Sequence, residues 1–167
     1  STEIGQVIGF CTGDLRMGVA AYAERYNVRA IKVLLRGILD EIDSEELLKQ
    51  VSPMSDSQLD LYTQIAASEN IEGAVEQLEG TKYYELLQEA LENRKSDSLQ
   101  PLEDALDKTY YQDLVSSLPS SGAADRIYRG FVQIQIDVAN LKTVMRLRHR
   151  GLGGHGELLI SGGTIDE

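Results

Sequence analysis

"RAIKVLLRG", residues 29–37, returns in altered form as "ANLKTVMRL", residues 139–147. Lys32 becomes Lys142 and Arg36 becomes Arg146, each 110 positions on. Within each copy the two cations are four residues apart, so on a helix they share one face. Apolar residues around them recur in steps of three and four, the period of a helix covered on one side. The same cation-bearing long helix therefore occurs twice. A common solenoid unit runs only about 20–50 residues, so the interval between the copies is the size of a domain.

Helical periodicity continues outward from both copies. A first helix is expected from about Leu15 to Leu39, with Met17, Ala21, Val28, Ile31, Leu35 and Ile38 on its apolar side and Glu24 interrupting it. "SEELLKQV", from Ser44, reads as a short helix stopped by Pro53. "SDSQLDLYTQIAA" opens on a capping box, Ser55 capping while Gln58 reaches back. "NIEGAVEQLEG" is another short helix, closed by Gly80. "TKYYELLQEALENR" places Tyr84, Leu87 and Leu91 on one face. Pro101 stands where a helix accepts proline, at its first position. Leu102, Leu106, Tyr110 and Leu114 follow at i, i+4 spacing, and Pro119 stops that helix.

The last long helix is expected from about Ala123 to Arg150. In it Ile127, Phe131, Ile134, Val138, Leu141 and Met145 alternate steps of four and three, a heptad seam. The seam is expected to be buried, at about 1.5–3 kcal/mol per side chain before entropy is charged. The fold class expected is all-α: an irregular helical bundle with two long helices in equivalent positions of an approximately 110-residue repeat.

Composition narrows the function. Hydrophobic residues make up 42% of the chain, enough for a packed core and too many for a disordered one. With 27 acids against 16 bases the formal charge is −11. Phosphate binding is driven by cations that release counterions, so no nucleic acid partner is expected, and no docking on an anionic leaflet. The single cysteine, Cys11, cannot form an internal disulfide and reads as a small apolar residue. No apolar run approaches the roughly 18–20 residues of a membrane span, and no signal-peptide pattern opens the chain. A soluble, intracellular protein without membrane insertion is expected.

Motifs for chemistry are weak. Gly151, Gly153 and Gly156 match G-x-G-x-x-G, but a dinucleotide fingerprint follows a strand and opens a helix, whereas here a helix precedes it. A helix-to-helix connector is the better reading. His149 and His155 flank that run without zinc spacing. Glu45/Glu46 and Glu103/Asp104 are adjacent pairs that splay apart on a helix. No catalytic residue, cofactor or metal is expected. An enzyme would need a site assembled from scattered groups such as Tyr83, Tyr84, Tyr110 and Tyr111.

The cationic pairs are more informative. They either pair with acids on neighbouring helices or line an interface with an acidic partner, and both can hold. Arg29 extends the first pair by one turn. Asp137 lies about 140° and 180° around the helix from Lys142 and Arg146, so its partner must come from another element.

"YNVRAIKVLLRG" and "IDVANLKTVMRLRHRG" resemble the repeated Asp-x-x-Asn-Leu-Lys-x-x-x-Arg signature of the C subunits of archaeal-type ATP synthases, a family that includes the d subunits of vacuolar ATPases. "GTKYYELLQEAL", "LEDALDKTYYQDL" and "LLISGG" agree in order. The second copy keeps Asp137 and Asn140. In the first, Asn27 stands for the aspartate and Ala30 for the asparagine, so a role that needs those groups is in doubt there.

The resemblance implies three similar helical units in a chain about twice as long, and this chain reads as a central fragment. Residues 1–40 would be the end of one unit with its signature helix, 41–150 the second unit, and 151–167 a connector and the start of the third. It further implies a cytoplasmic, non-catalytic central-stalk adaptor of a rotary ATPase. An adaptor of this kind couples the central shaft to the membrane proteolipid c-ring during proton or sodium transport. Asn27, Arg29, Lys32, Arg36, Asp137, Asn140, Lys142 and Arg146 are its candidate interaction or structural residues. A fragment of this kind is expected to self-associate through apolar surface. A generic helical interaction scaffold is the alternative.

Overall fold

A computed structural model describes residues 13–94, 98–117, 123–149, 151 and 159–165, with side chains from 16 in the first stretch and from 126 in the third. Among the described residues the fold is all-α, without strands. The helices are α1 (Gly13–Leu39), α2 (Ser44–Lys49), α3 (Asp56–Ala66), α4 (Ile71–Glu76), α5 (Tyr84–Glu92), α6 (Gln100–Ser116) and α7 (Ala123–His149). The long helices α1 and α7 each have 27 residues, and both ends of α7 lie 110 positions beyond those of α1. Packing divides the chain into two compact units, Ser1–Asp107 and Lys108–Glu167, with the boundary inside α6.

In the first unit α1 packs against α2, α3 and α4, and the short helices pack in sequence on one another. Val28, Ile31, Leu34 and Leu35 of α1 meet Leu47, Tyr62, Ile65, Val75 and Leu78 in a core where each is buried. Three helices embrace α1, so its covered arc is wider than one stripe: Ala23, Ala30 and Leu34 are buried too. Met17, expected on the apolar side, is 59% exposed and lies outside this arc. Gly37 allows the closest approach. A Cβ there would lie 1.9 Å from Leu47 Cδ2, so α2 rests its leucine on the α1 backbone.

Local signals place the helix ends. After α1, Glu41 adopts φ 55, and the amides of Ile42 and Glu41 bond the carbonyls of Gly37 (2.8 Å) and Ile38 (3.1 Å). This is a Schellman closure, formed here without glycine. Ser55 caps α3 by accepting the Gln58 amide at 3.3 Å. The Gln58 side chain reaches back one residue further than expected, to the Met54 amide at 2.7 Å. Asn70 caps α4, and Gly80 takes a positive φ of 79 after that helix has passed into turns. Pro101 is the second residue of α6, one later than expected. The predicted face of that helix, Leu102, Leu106, Tyr110 and Leu114, is buried throughout. Cys11, Pro119, Gly153, His155 and Gly156 lie outside the described residues.

The heptad seam of α7 is the main correction. Ile127 is 77% exposed, Phe131 40%, Ile134 58%, Val138 44%, Leu141 53% and Met145 64%. The buried side of α7 is instead Val132, Ile136 and Asp137. Heptad spacing identifies an apolar face but not what covers it. On α7 the covered face is the narrower one, which carries groups able to bond a neighbouring backbone.

Candidate functional site

The two signature copies sit in different environments. On α1, Lys32 Nζ pairs with Asp107 Oδ1 at 2.6 Å. Arg36 makes a two-pronged contact with Glu103, Nε to Oε1 at 2.5 Å and Nη2 to Oε2 at 2.9 Å. Glu103 and Asp107 are four apart on α6, so two i, i+4 pairs of opposite charge face each other across the two helices. The hydrogen bond from Glu103 raises the Arg36 pKa above its ordinary value, and the charges of Glu103 and Asp107 add to this against partial burial. In the first copy, then, the cations bind α1 to α6. Arg29 is exposed and makes no ion pair among the described residues.

Asn27 bridges two groups. Its Nδ2 donates to Glu24 Oε1 at 2.7 Å, and its Oδ1 accepts the Tyr62 hydroxyl at 2.8 Å. Glu24 Oε1 also accepts the Tyr83 hydroxyl at 2.7 Å, with Lys82 Nζ 3.8 Å away. Burial pushes the Tyr62 hydroxyl well above the usual phenol range, and the Glu24 charge adds to this. The residue that breaks the apolar pattern of α1 is therefore the hub of a polar cluster. The sequence signal for it was Glu24 itself, set among apolar neighbours, but the tyrosine that completes the cluster lies 59 positions away. Tyr83 and Tyr110, two of the groups an enzyme would draw on, are buried, and the Tyr110 ring packs edge-on against Tyr111 with centroids 4.9 Å apart.

On α7 the corresponding positions hold a segment of backbone. Asp137 Oδ1 accepts the amides of Thr164 (2.9 Å) and Ile165 (3.2 Å), and Oδ2 accepts the Thr164 hydroxyl at 2.5 Å. Asn140 grips one residue by both ends: its Nδ2 donates to the Ile160 carbonyl at 2.9 Å, and its Oδ1 accepts the Ile160 amide at 2.8 Å. Glycine makes the approach possible. A Cβ on Gly163 would stand 2.1 Å from Asp137 Oδ1, and Gly162 turns with φ 102 against Val115 and Ile136. The Asp and Asn of the second signature copy thus clasp "ISGGT", residues 160–164, to α7. The partner of Asp137 comes from another segment, as its angular position required.

The Thr164 hydroxyl does most to hold the Asp137 carboxyl below the usual carboxylate range. Burial opposes this, and the two amides reinforce it. Between α7 and residues 159–165 an open cavity of about 600 Å³ is lined by Asp137, Asn140, Leu141, Val144, Ile160 and Ile165 among others. Its one carboxylate already accepts three donors, which suits it to anchoring and not to proton transfer. Lys142 is exposed and makes no ion pair among the described residues. Arg146 is half-buried with Nη2 3.5 Å from Thr143 Oγ1. Among the described residues no group of three or more His, Cys, Asp or Glu is placed to hold a metal ion.

A family model described as ATP synthase (C/AC39) subunit matches residues 2–167. The A-type ATP synthase C subunit of Methanosarcina acetivorans is 31% identical over 162 residues, covering 95% of this chain and 44% of the relative. The subunit of the same name from Methanocaldococcus jannaschii is 30% identical over 132 residues, 78% of this chain and 33% of the relative. That of Halobacterium salinarum is 26% identical over 172 residues, 100% and 49%. The chain spans about half the length, or less, of these relatives. No solved structure matches it significantly.

Proposed function

The chain belongs to the ATP synthase (C/AC39) subunit family, and from that premise we propose that it acts as a non-catalytic adaptor in a rotary A/V-type complex. In this reading it couples the central shaft to the proteolipid c-ring while protons or sodium ions are moved. The observation that carries it is the family match along residues 2–167. Among the described residues no helix is long and apolar enough to cross a membrane. A place beside the membrane on the cytoplasmic side, held through partners, is part of the same proposal. The division into repeat units at 1–40, 41–150 and 151–167 is part of the same proposal.

The geometry supports a division of labour between the signature copies. Lys32 and Arg36 are committed to Asp107 and Glu103, so the first copy serves mainly the bundle. Lys142 faces solvent on an otherwise acidic chain and is a better candidate for an acidic partner surface. Charge complementarity of this kind sets register and partner choice more than affinity. The test replaces Lys142 and Arg146 together by glutamate and measures capture of shaft and ring subunits. Weaker capture with an unchanged helical spectrum is expected. Undiminished capture by a folded variant would refute the assignment of these cations, and no capture by the parent chain would refute the adaptor role itself.

A further inference from the structure

The two long helices share more than their cations. On α7 an acid and an asparagine three apart, Asp137 and Asn140, hold residues 160–165. The positions 110 earlier are Asn27 and Ala30, and neither carries a charge. Three positions before Asn27 stands Glu24, so acid-x-x-Asn recurs on α1 at Glu24 and Asn27. Of the four asparagines in the chain, only Asn27 and Asn140 follow an acid at this spacing. Residues three apart are neighbours on one helix face, so each pair can act as a unit.

Both pairs grip groups distant in sequence. Glu24 Oε1 accepts the hydroxyl of Tyr83, the residue that opens α5, at 2.7 Å. Asn27 Oδ1 accepts the hydroxyl of Tyr62, on α3, at 2.8 Å. Both tyrosines are buried, so each hydroxyl needs its acceptor. The pair is also closed on itself, Asn27 Nδ2 donating to Glu24 Oε1 at 2.7 Å. That bond accounts for the asparagine at 27. An aspartate of the same shape would set a second carboxylate at that distance, with no proton between the two charges. With the acid at 24, position 27 has to donate.

We infer that Glu24 and Asn27 form the clasp of the first copy. It is the acid–amide pair of Asp137 and Asn140 displaced one turn toward the N-terminus and directed at tyrosine hydroxyls in place of backbone. Its work is positional: it fixes α3 and the start of α5 against α1. The role that Asn27 and Ala30 leave vacant at the aligned positions is filled in this way. The inference goes beyond the rotary reading and holds whether or not the chain assembles with such a complex.

The pair is tested by exchanging its two groups. The titratable groups that face it are Tyr62, Tyr83 and Lys82, whose Nζ lies 3.8 Å from Glu24 Oε1. Asn27→Asp should raise the unfolding equilibrium constant at neutral pH, about tenfold for each unit by which one carboxylate of the pair is pushed up. A raised folded-state pKa costs stability above the ordinary value, so the loss relative to the parent should shrink as the pH falls toward about 4. Glu24→Gln combined with Asn27→Asp moves the carboxylate to position 27 and leaves every donor an acceptor. This double variant should regain most of the stability and lose the added pH dependence.

Urea denaturation from about pH 4 to neutrality reads both effects. An Asn27→Asp chain as stable as the parent at neutral pH overturns the bond within the pair. A double variant no more stable than Asn27→Asp alone overturns the pair as a unit. Tyr83→Phe is a milder change that tests the grip. Exchange of the Leu87 amide, which bonds the Tyr83 carbonyl, should then speed several-fold, while that of Leu47 on α2 stays as it was. Unchanged exchange at Leu87 overturns the positioning of α5.

Discussion

Asp137 shows how a single residue joins distant parts of the chain. Its carboxylate receives three donors from Thr164 and Ile165, 27 and 28 positions on. Because its folded-state pKa is lowered, chiefly by the Thr164 hydroxyl, ionisation favours the clasped form. The stabilisation is full above the ordinary carboxylate pKa of about 3.9. It is lost as the pH falls below that value and through the lower folded-state one. Amide exchange at Thr164 and Ile165 should therefore lose protection on acidification in that window. Asp137→Asn should lower that protection at neutral pH and remove its pH dependence. Protection that is flat with pH in the parent chain would refute the clasp. The aspartate and asparagine were legible as notable residues, from their place in the signature. What they hold was not, because nothing local marks a backbone segment twenty or more residues away as the partner.

At the scale of elements, most helices lie where the periodicity places them. The cap at Ser55 and the buried face of α6 follow from interactions within a few residues, and such interactions are written in the local sequence. The ion pairs between α1 and α6 link two elements instead. Arg36 is 60% exposed on its side chain and Glu103 only 12%, so each pair is expected to contribute about 0.5–1 kcal/mol, near the upper end for surface pairs. Arg36→Glu should destabilise the fold by about that amount. Adding Glu103→Arg should recover most of it, since the swap restores opposite charges. Urea denaturation of the two single variants and the double one measures the coupling directly. A double variant no more stable than the sum of its parts would show that the contact contributes nothing.

For the whole molecule, net charge sets how the proposed capture of a partner responds to salt. The chain carries a formal charge of −11, so an acidic partner is repelled at long range even where Lys142 and Arg146 attract it locally. Raising ionic strength shortens the Debye length from about 10 Å at 0.1 M to about 3 Å at 1 M. Added salt should therefore speed encounter with an acidic partner and weaken the bound state that Lys142 and Arg146 hold. Association and dissociation rates measured over one salt series separate these opposite trends. A dissociation rate that does not change with salt would refute the assignment of these cations.

Sequence alone determined the all-helical class, most helix ends, the doubled cationic motif and the family. Each of these rests on spacing along the chain or on residues in short range of one another. Only the tertiary structure decided which side of α7 is covered, that Glu24 gathers Asn27 and Tyr83, and that Asp137 and Asn140 hold residues 160–165. Periodicity records which face of a helix is apolar. Which surface comes to meet that face depends on how the whole chain closes, and on α7 the covered side is that of Val132, Ile136 and Asp137, where the carboxylate satisfies amides of a distant segment.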